Sequence, residues 1–290
     1  MSSVSILIDT YNNGPWLRAC VDSALAQTHP ADEVIVYDDG SSDDSLAILR
    51  SYGERITLIA GVHDSSRSGR SSQRAALRAA FAKSTAEHIY FLDGDDTYLP
   101  THVFDYEVTW AAHPEAVMLQ CPMILIDSEG RALGPYREAR KNRRDYLADI
   151  YRHSETDYFY ICSSFAFKRQ FLVHAFPIIA NCGFDYYVDV HLALHAVFCG
   201  SIITMPAASA VFRIHADSMS ERDGLRGGRR VHDTRQRTRC FNTVAAHYGR
   251  PPLRLWRNFT YLQQLARLWL PNWFTLPFAR LKVRLVRNST

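Results

Sequence analysis

The sequence predicts an α/β fold with a mostly parallel central sheet flanked by helices and a helical extension at its C-terminal end. Two observations carry this. Four short apolar runs in the first 92 residues are separated by helix-period segments, the signature of βαβ units with right-handed crossovers. Each run also ends in Asn, Asp, Gly or Ser, the residues that turn a chain and start a helix.

"VSILI" (Val4 to Ile8) is the first strand, broken by "NNGP". Trp16, Leu17, Cys20, Val21, Ala24 and Leu25 then recur at helical spacing, with Asn13 or Gly14 as cap and Pro15 in the first turn. "EVIVY" (Glu33 to Tyr37) is the second strand, and "DDGSSDD" leads into a helix containing Leu46, Ile48 and Leu49. Asp43 and Asp44 read there as first-turn acids and nothing more. "ITLIA" (Ile56 to Ala60), the Ala-rich "SSQRAALRAAFAK" and "HIYFL" (His88 to Leu92) complete the alternation. After about Asp127 the pattern becomes irregular, with a basic run from Arg137 to Arg144 that reads as a solvated loop or as a contact for an acidic acceptor. A helix follows Asp185, with Val188, Leu192, Ala196 and Val197 as core positions, and Gly200 ends it. From about Gly224 the chain is Arg-rich and helical.

The 290 residues, 47% hydrophobic and 22% charged, suffice for one large domain or two small ones. The first residues carry no basic segment followed by an apolar one, and no stretch reaches the roughly 18 apolar residues of a spanning helix. The expectation is a cytoplasmic protein. Its 6 cysteines show no metal-ligand spacing and read as buried free thiols in a reducing compartment. The net charge of +3 hides an asymmetry: all 30 acidic residues precede Thr234, while Arg and Lys continue to Arg287.

Ligands bind parallel sheets at the carboxyl ends of the strands, which is where Thr10, Tyr11, Asp38, Asp39, Asp93, Asp95 and Asp96 fall. Adjacent carboxylates repel, so "FLDGDD" (Phe91 to Asp96) needs a compensating cation or raised pKa values. Asp-x-Asp around the small Gly94 suits Mg²⁺ or Mn²⁺, which take a carboxylate or two plus substrate phosphate oxygens. A phosphate-bearing substrate follows. The plainer alternative is a solvated turn, and for Asp38 and Asp39 a helix-capping one.

The stretch from Val4 to Leu49 resembles the opening of family 2 glycosyltransferases of the GT-A fold: strand, Thr-Tyr-Asn, helix with Ser-x-Leu-x-Gln-Thr, strand, Asp-Asp-Gly-Ser. "GRSSQR" is similar to that family's Gly-x-Ser-x-x-Arg helix start, "FLDGDD" to its Asp-x-Asp motif, "FDYYVDVHLAL" to its acceptor-side helix and "FRIHADSMS" to its Arg-x-His-x-x-Ser segment. The resemblance covers about residues 4 to 220. It implies a catalytic domain over 1–223, with a nucleotide-sugar half (1–97) and an acceptor half (98–223), followed by a basic, aromatic-rich region over 224–290. It implies that Thr10, Tyr11, Asp38 and Asp39 hold base and ribose and that Arg74 lies near the site. Asp93 would contact ribose, Asp95 the metal, Arg213 the diphosphate, and His215 would complete the metal shell. Asp185 would be the general base of an inverting displacement on a UDP- or dTDP-sugar, with Asp189 the fallback. The sequence departs from the pattern at Phe184, where the family often has Glu, at Asp9, where Pro is usual, and at Ala75, where Asn is usual.

Plainer readings stand beside these. Asp185 also suits an N-cap of its helix. His191 and His195, four apart on one helix, lack a third metal ligand nearby. The tail mixes Trp, Leu and Arg without acids, which suits an anionic membrane surface, or else a helix packed on the catalytic domain or on a second copy in a homodimer. No nucleic-acid recognition motif is present. Two rival functions are a phosphatase of the haloacid-dehalogenase type using Asp93, and an inactive nucleotide- or glycan-binding module. The expected acceptor is a glycan, in cell-envelope polysaccharide or on a lipid carrier.

Overall fold

Parity decides which side of the sheet each residue of the first strand serves, because successive side chains of a strand point to opposite faces. In β1 (Val4–Thr10), Val4, Ile6 and Ile8 join one core and Leu7 joins the other. All four are fully buried, so truncating any of them would cost about 2–5 kcal/mol. The computed structural model describes residues 2–136, 145–183, 185–216, 218, 228–258, 261–263 and 265. The basic run 137–144, Phe184 and the tail beyond Leu265 lie outside the described residues.

The first half alternates as its sequence predicts: β1, α1 (Gly14–Leu25), β2 (Glu33–Asp38), α2 (Ser45–Arg50), β3 (Thr57–Ala60), α3 (Gly69–Lys83) and β4 (His88–Asp93). Then come β5 (Thr97–Tyr98), α4 (His102–Ala112), β6 (Ala116–Gln120), β7 (Met123–Ile126), β8 (Ala132–Pro135), α5 (Tyr146–His153), β9 (Phe165–Lys168), α6 (Arg169–Ala180), α7 (Val188–Cys199), β10 (Ser201–Thr204), β11 (Ala210–Arg213) and α8 (Gly228–His247).

A seven-stranded sheet runs β10-β6-β9-β4-β1-β2-β3. All its neighbouring pairs are parallel except those of β9, which is antiparallel to both β4 and β6. A second sheet, β5-β11-β7-β8, ends β11 at Arg213, which bonds to Asp95 and Asp96 just beyond β4 of the first. On one face of the large sheet, Leu17, Cys20 and Val21 of α1 pack with Val103, Tyr106 and Trp110 of α4. On the other face Leu77 and Ala80 of α3 join Leu192 and Ala196 of α7. Cys240, Phe241 and Val244 of α8 are buried in that same core.

Two boundaries differ from the sequence reading. The strands run on into the motifs, so that Thr10, Asp38 and Asp93 are final strand residues rather than loop residues. And α7 begins at Val188 with Tyr187 as its N-cap, so Asp185 precedes the helix instead of capping it. Among the described residues no helix is long and apolar enough to cross a membrane.

Candidate active site

Strands β4, β1 and β2 are adjacent, and their register sets Asp9 opposite Asp93 and Thr10 opposite Asp38. Three motifs far apart in sequence thereby meet at one sheet edge. Asp38 is fully buried, and its carboxylate accepts from the Ser41 N–H at 3.1 Å and from the Ser41 hydroxyl. That residue closes its own turn. Asp39 instead pairs with Nδ1 of His63 at 2.8 Å, and the His63 ring stacks on Tyr11 with centroids 4.1 Å apart. The turn after β1 is tied to the turn after β2 by Asn12, which sits at φ 54°, donates to the Ser41 hydroxyl and accepts from Ser42 N–H. Asp43 does more than its sequence reading allowed. Its Oδ2 accepts from the Gly14 N–H and its Oδ1 from the Ser45 N–H, both at 2.9 Å, so it joins the starts of α1 and α2, and these bonds hold its carboxyl below the usual range despite burial.

Beside these turns lies the acidic cluster. Asp93 accepts from Nε2 of Gln73 at 3.0 Å, and its backbone N–H donates to the Ser163 hydroxyl. Ser163 also donates to Asp96, whose other oxygen accepts from the Arg213 N–H at 2.9 Å. Asp96 is therefore a buried brace between β4, β11 and the 162–164 turn. Burial, followed by the charges of Asp95 and Asp189, pushes the Asp93 carboxyl up to about 7. Burial and then Asp93 and Asp95 raise Asp9 well above the carboxylate range, and burial with the same two neighbours in the order Asp95, Asp93 does so for Asp96. One oxygen of Asp9 is buried without a hydrogen-bond partner, and Asp9, Asp93 and Cys162 bring three possible ligand atoms within 4.8 Å of one another. A cluster so short of positive charge fits a divalent cation.

Asp95 and His215 supply the strongest geometric match to such an ion. Asp95 Oδ2 and His215 Nε2 are 2.9 Å apart, close to the roughly 3 Å between adjacent ligands of an octahedral ion bound at about 2.1 Å. Trp16 lies against the His215 ring with centroids 3.8 Å apart, while its indole N–H donates to the Ser128 carbonyl. The Arg213 guanidinium donates to the carbonyls of Asp95, Asp127 and Ser128, clamping the second sheet to the Asp-x-Asp turn. Gly94 is needed there for space: a Cβ would lie 2.6 Å from Thr10 Oγ1 and 2.9 Å from Asn13 Nδ2. Flexibility, the sequence-level rationale for that glycine, is secondary to this close approach.

At the start of α3, Asp185 is 43% exposed, accepts from the hydroxyl of the N-cap Ser68, and lies 3.6 Å from Nη1 of Arg74. Asp189 is buried in the first turn of α7, where its Oδ1 accepts from Val190 N–H. His191 and His195 are also buried, and burial pushes them down to about 4 and about 3. They serve the α7 core.

Thr10, Tyr11, Asp38, Asp39, Asp93, Asp95, Arg213 and His215 are brought together at this edge, while Arg74 of α3, the helix whose Gln73 reaches Asp93, lies with Asp185. Trp16, His63, Gln73 and Ser163 were missed. Trp16 was read as one more apolar helix position, Gln73 fills an unassigned position inside "GRSSQR", and His63 and Ser163 lie in no motif, so only proximity discloses their contacts.

The model of the family described as glycosyl transferase family 2 matches residues 5–176. An uncharacterized glycosyltransferase of Nostoc sp. is 27% identical over 214 residues, 73% of this chain and 65% of the relative. A UDP-Glc:alpha-D-GlcNAc-diphosphoundecaprenol beta-1,3-glucosyltransferase of Escherichia coli is 35% identical over 104 residues, 36% of this chain and 39% of the relative. The chain thus spans less than two thirds of the length of these curated relatives. Among solved structures, S. aureus TarS 1-349 in complex with UDP-GlcNAc has a TM-score of 0.63 at 16% identity, covering 91% of this chain and 73% of that one. The mannosyltransferase PcManGT of Pyrobaculum calidifontis, in complex with GDP-Man and Mn²⁺, has a TM-score of 0.55 at 20% identity over all of this chain and 76% of that one. These likenesses show the fold to be GT-A. Together with the family match over more than half of its length, they show that this chain belongs to glycosyl transferase family 2.

Proposed function

We propose that the chain transfers a sugar from a nucleoside-diphosphate sugar to a hydroxyl of a glycan acceptor, by one displacement that inverts the anomeric carbon. The observation that carries this reading is the Asp95–His215 pair, 2.9 Å apart on the same carboxylate cluster as Asp93. In this reading Tyr11 and Asp39 contact the base and Asp93 the ribose. Thr10 and Asp38, both buried, shape the turns that present them. Arg213 braces the Asp-x-Asp turn and offers its charge to the diphosphate. Mn²⁺ or Mg²⁺ held by Asp95 and His215 would take up negative charge on the leaving diphosphate.

Asp185 is the base. Its carboxylate takes the proton from the acceptor hydroxyl as that oxygen attacks, on the face of the sugar opposite the diphosphate. Arg74 and Ser68 hold it in place. The complexes of TarS with UDP-GlcNAc and of PcManGT with GDP-Man and Mn²⁺ support a nucleotide-sugar donor, and the activity of the E. coli relative favours a UDP-sugar and a lipid-linked acceptor. Such an acceptor suits contact of residues 250–290 with the inner face of a membrane. Of that segment, Arg254, Trp256 and Arg257 are exposed. Most of the remainder lies outside the described residues.

The test is calorimetric titration with UDP, dTDP and GDP, each with and without Mn²⁺, followed by turnover of the matching sugar donors. Metal-dependent binding of one nucleotide is expected, with transfer from its sugar conjugate. Binding without transfer to any acceptor would leave a nucleotide-binding module, and absence of binding to all three would sink the donor site.

A further inference from the structure

Two of the groups assigned to the base already hold a heteroaromatic ring. The His63 imidazole lies face to face with Tyr11, with planes 13° from parallel and centroids 4.1 Å apart, and its Nδ1 is 2.8 Å from Asp39 Oδ2. An ionised carboxylate only accepts, so that ring nitrogen carries the hydrogen. A flat ring stacked on tyrosine and donating one N–H to an aspartate makes the contacts expected of a nucleobase with an imino N–H.

We infer that His63 is a stand-in for the donor's base: it fills the base subsite until a nucleoside diphosphate whose base carries an imino N–H displaces it. The inference rests on the donor-site reading above and narrows it. Uracil and thymine at N3, and guanine at N1, present an N–H that replaces the His63 bond to Asp39. Cytosine at N3 and adenine at N1 present lone pairs there, which a carboxylate repels.

The local chain favours motion of the side chain over motion of the loop. Gly61 N–H donates to the Asp38 carbonyl at 2.8 Å. Gly40, at φ +70°, passes so near the next segment that a Cβ on it would lie 2.5 Å from the His63 backbone nitrogen. The backbone is clamped to the Asp38–Gly40 turn. The His63 side chain, 29% exposed, leaves by rotating about χ1 into solvent, uncovering the inner face of Tyr11 and the Asp39 oxygen together. Tyr11, itself 40% exposed, stays to stack on the incoming base.

Displacing the imidazole sacrifices one ring stack and one partly exposed hydrogen bond, so removing it in advance should tighten donor binding roughly three- to thirty-fold. The experiment titrates UDP, GDP and CDP with Mn²⁺ into the wild-type chain, His63→Ala and His63→Phe, and follows the imidazole NMR signals of the wild type. Expected are tighter UDP or GDP binding by His63→Ala, a smaller gain for His63→Phe, whose ring still covers Tyr11, and little CDP binding by any of the three. Signals of His63, shifted by the Tyr11 ring, should move to solvent-exposed values as nucleotide saturates. Equal or weaker binding by His63→Ala would make His63 a wall of the site and overturn the inference while leaving the donor reading intact. CDP binding as tight as UDP would overturn the imino N–H requirement. If neither the wild type nor His63→Ala binds any of the three, the donor reading falls and the inference with it.

Discussion

Nε2 of His215 lies 2.9 Å from Oδ2 of Asp95 across 120 positions of sequence. Arg213, two residues before His215 in the chain, donates to the Asp95 carbonyl and so holds the two segments together. If this pair holds the cation, Asp95→Asn and His215→Ala should each weaken Mn²⁺-dependent nucleotide binding at least about tenfold. Metal-free binding should change little. Calorimetry at several Mn²⁺ concentrations separates the two, and an unchanged metal dependence in both variants would remove the pair from the metal site.

Trp16 backs that pair through the His215 ring. Replacing it with Ala removes the stack on His215 and the bond to Ser128, and Mn²⁺ affinity should fall by about tenfold. Trp16→Phe keeps a ring at the same place and should restore most of it. A variant pair that differs in melting temperature but not in Mn²⁺ affinity would mark Trp16 as packing alone.

Asp185 and Asp189 separate by kinetics. If Asp185 is the base, Asp185→Asn should lower kcat by roughly 10²- to 10⁴-fold, the usual contribution of a general base, with nucleotide affinity nearly unchanged, because its carboxylate is held by Ser68 and Arg74 and by none of the groups assigned to the nucleotide base or the metal. Asp189→Asn should act mainly through stability, since that side chain is buried in the α7 turn. The reverse pattern would transfer the base role to Asp189.

Asp93 gives a pH signature. Its folded carboxyl titrates near 7, pushed up by burial and by Asp95 and Asp189, whereas an unfolded aspartate titrates near 4. Between those values the folded chain holds the extra proton, so the contribution of Asp93 is fully present below about pH 4 and is lost as pH rises through about 7. Metal-free Asp93→Asn should therefore gain on the wild type by roughly 2–3 kcal/mol between pH 5 and pH 8. Denaturant titrations at the two pH values measure the difference, and parallel curves would remove Asp93 from the repulsive cluster.

Gly94→Ala tests close approach. The added Cβ meets Thr10 and Asn13, so a cost of about 1–3 kcal/mol is expected, along with weakened Mn²⁺-dependent binding as Asp95 shifts. Thermal melts and calorimetry on one preparation check both, and an alanine variant with wild-type values in each would show that the turn relaxes freely.

Much of the fold was legible in the chain because βα alternation and strand parity are local properties. Val4, Ile6 and Ile8 against Leu7, or Tyr90 against Phe91, declare their faces by spacing alone. The mixed direction of the sheet was not legible: β9 is a short apolar strand like its neighbours, and nothing local encodes that it runs against both β4 and β6. The candidate site divides in the same way. Its carboxylates and Tyr11 stand in compact motifs at strand ends, where sequence sees them.

Residue type and spacing within single βα units are enough for the α/β class, the strand-end edge and a carboxylate cluster short of positive charge. Packing and strand register settle which groups share an atom-scale neighbourhood. Asp38 turned inward onto Ser41, Asp43 reached Gly14, His63 came to lie on Tyr11, and Trp16 left its apolar stripe to cover His215. The physical reason is that hydrogen bonds and ring contacts are short-ranged, so partners tens of residues apart acquire meaning only when strand register and packing fix their separation to within an ångström.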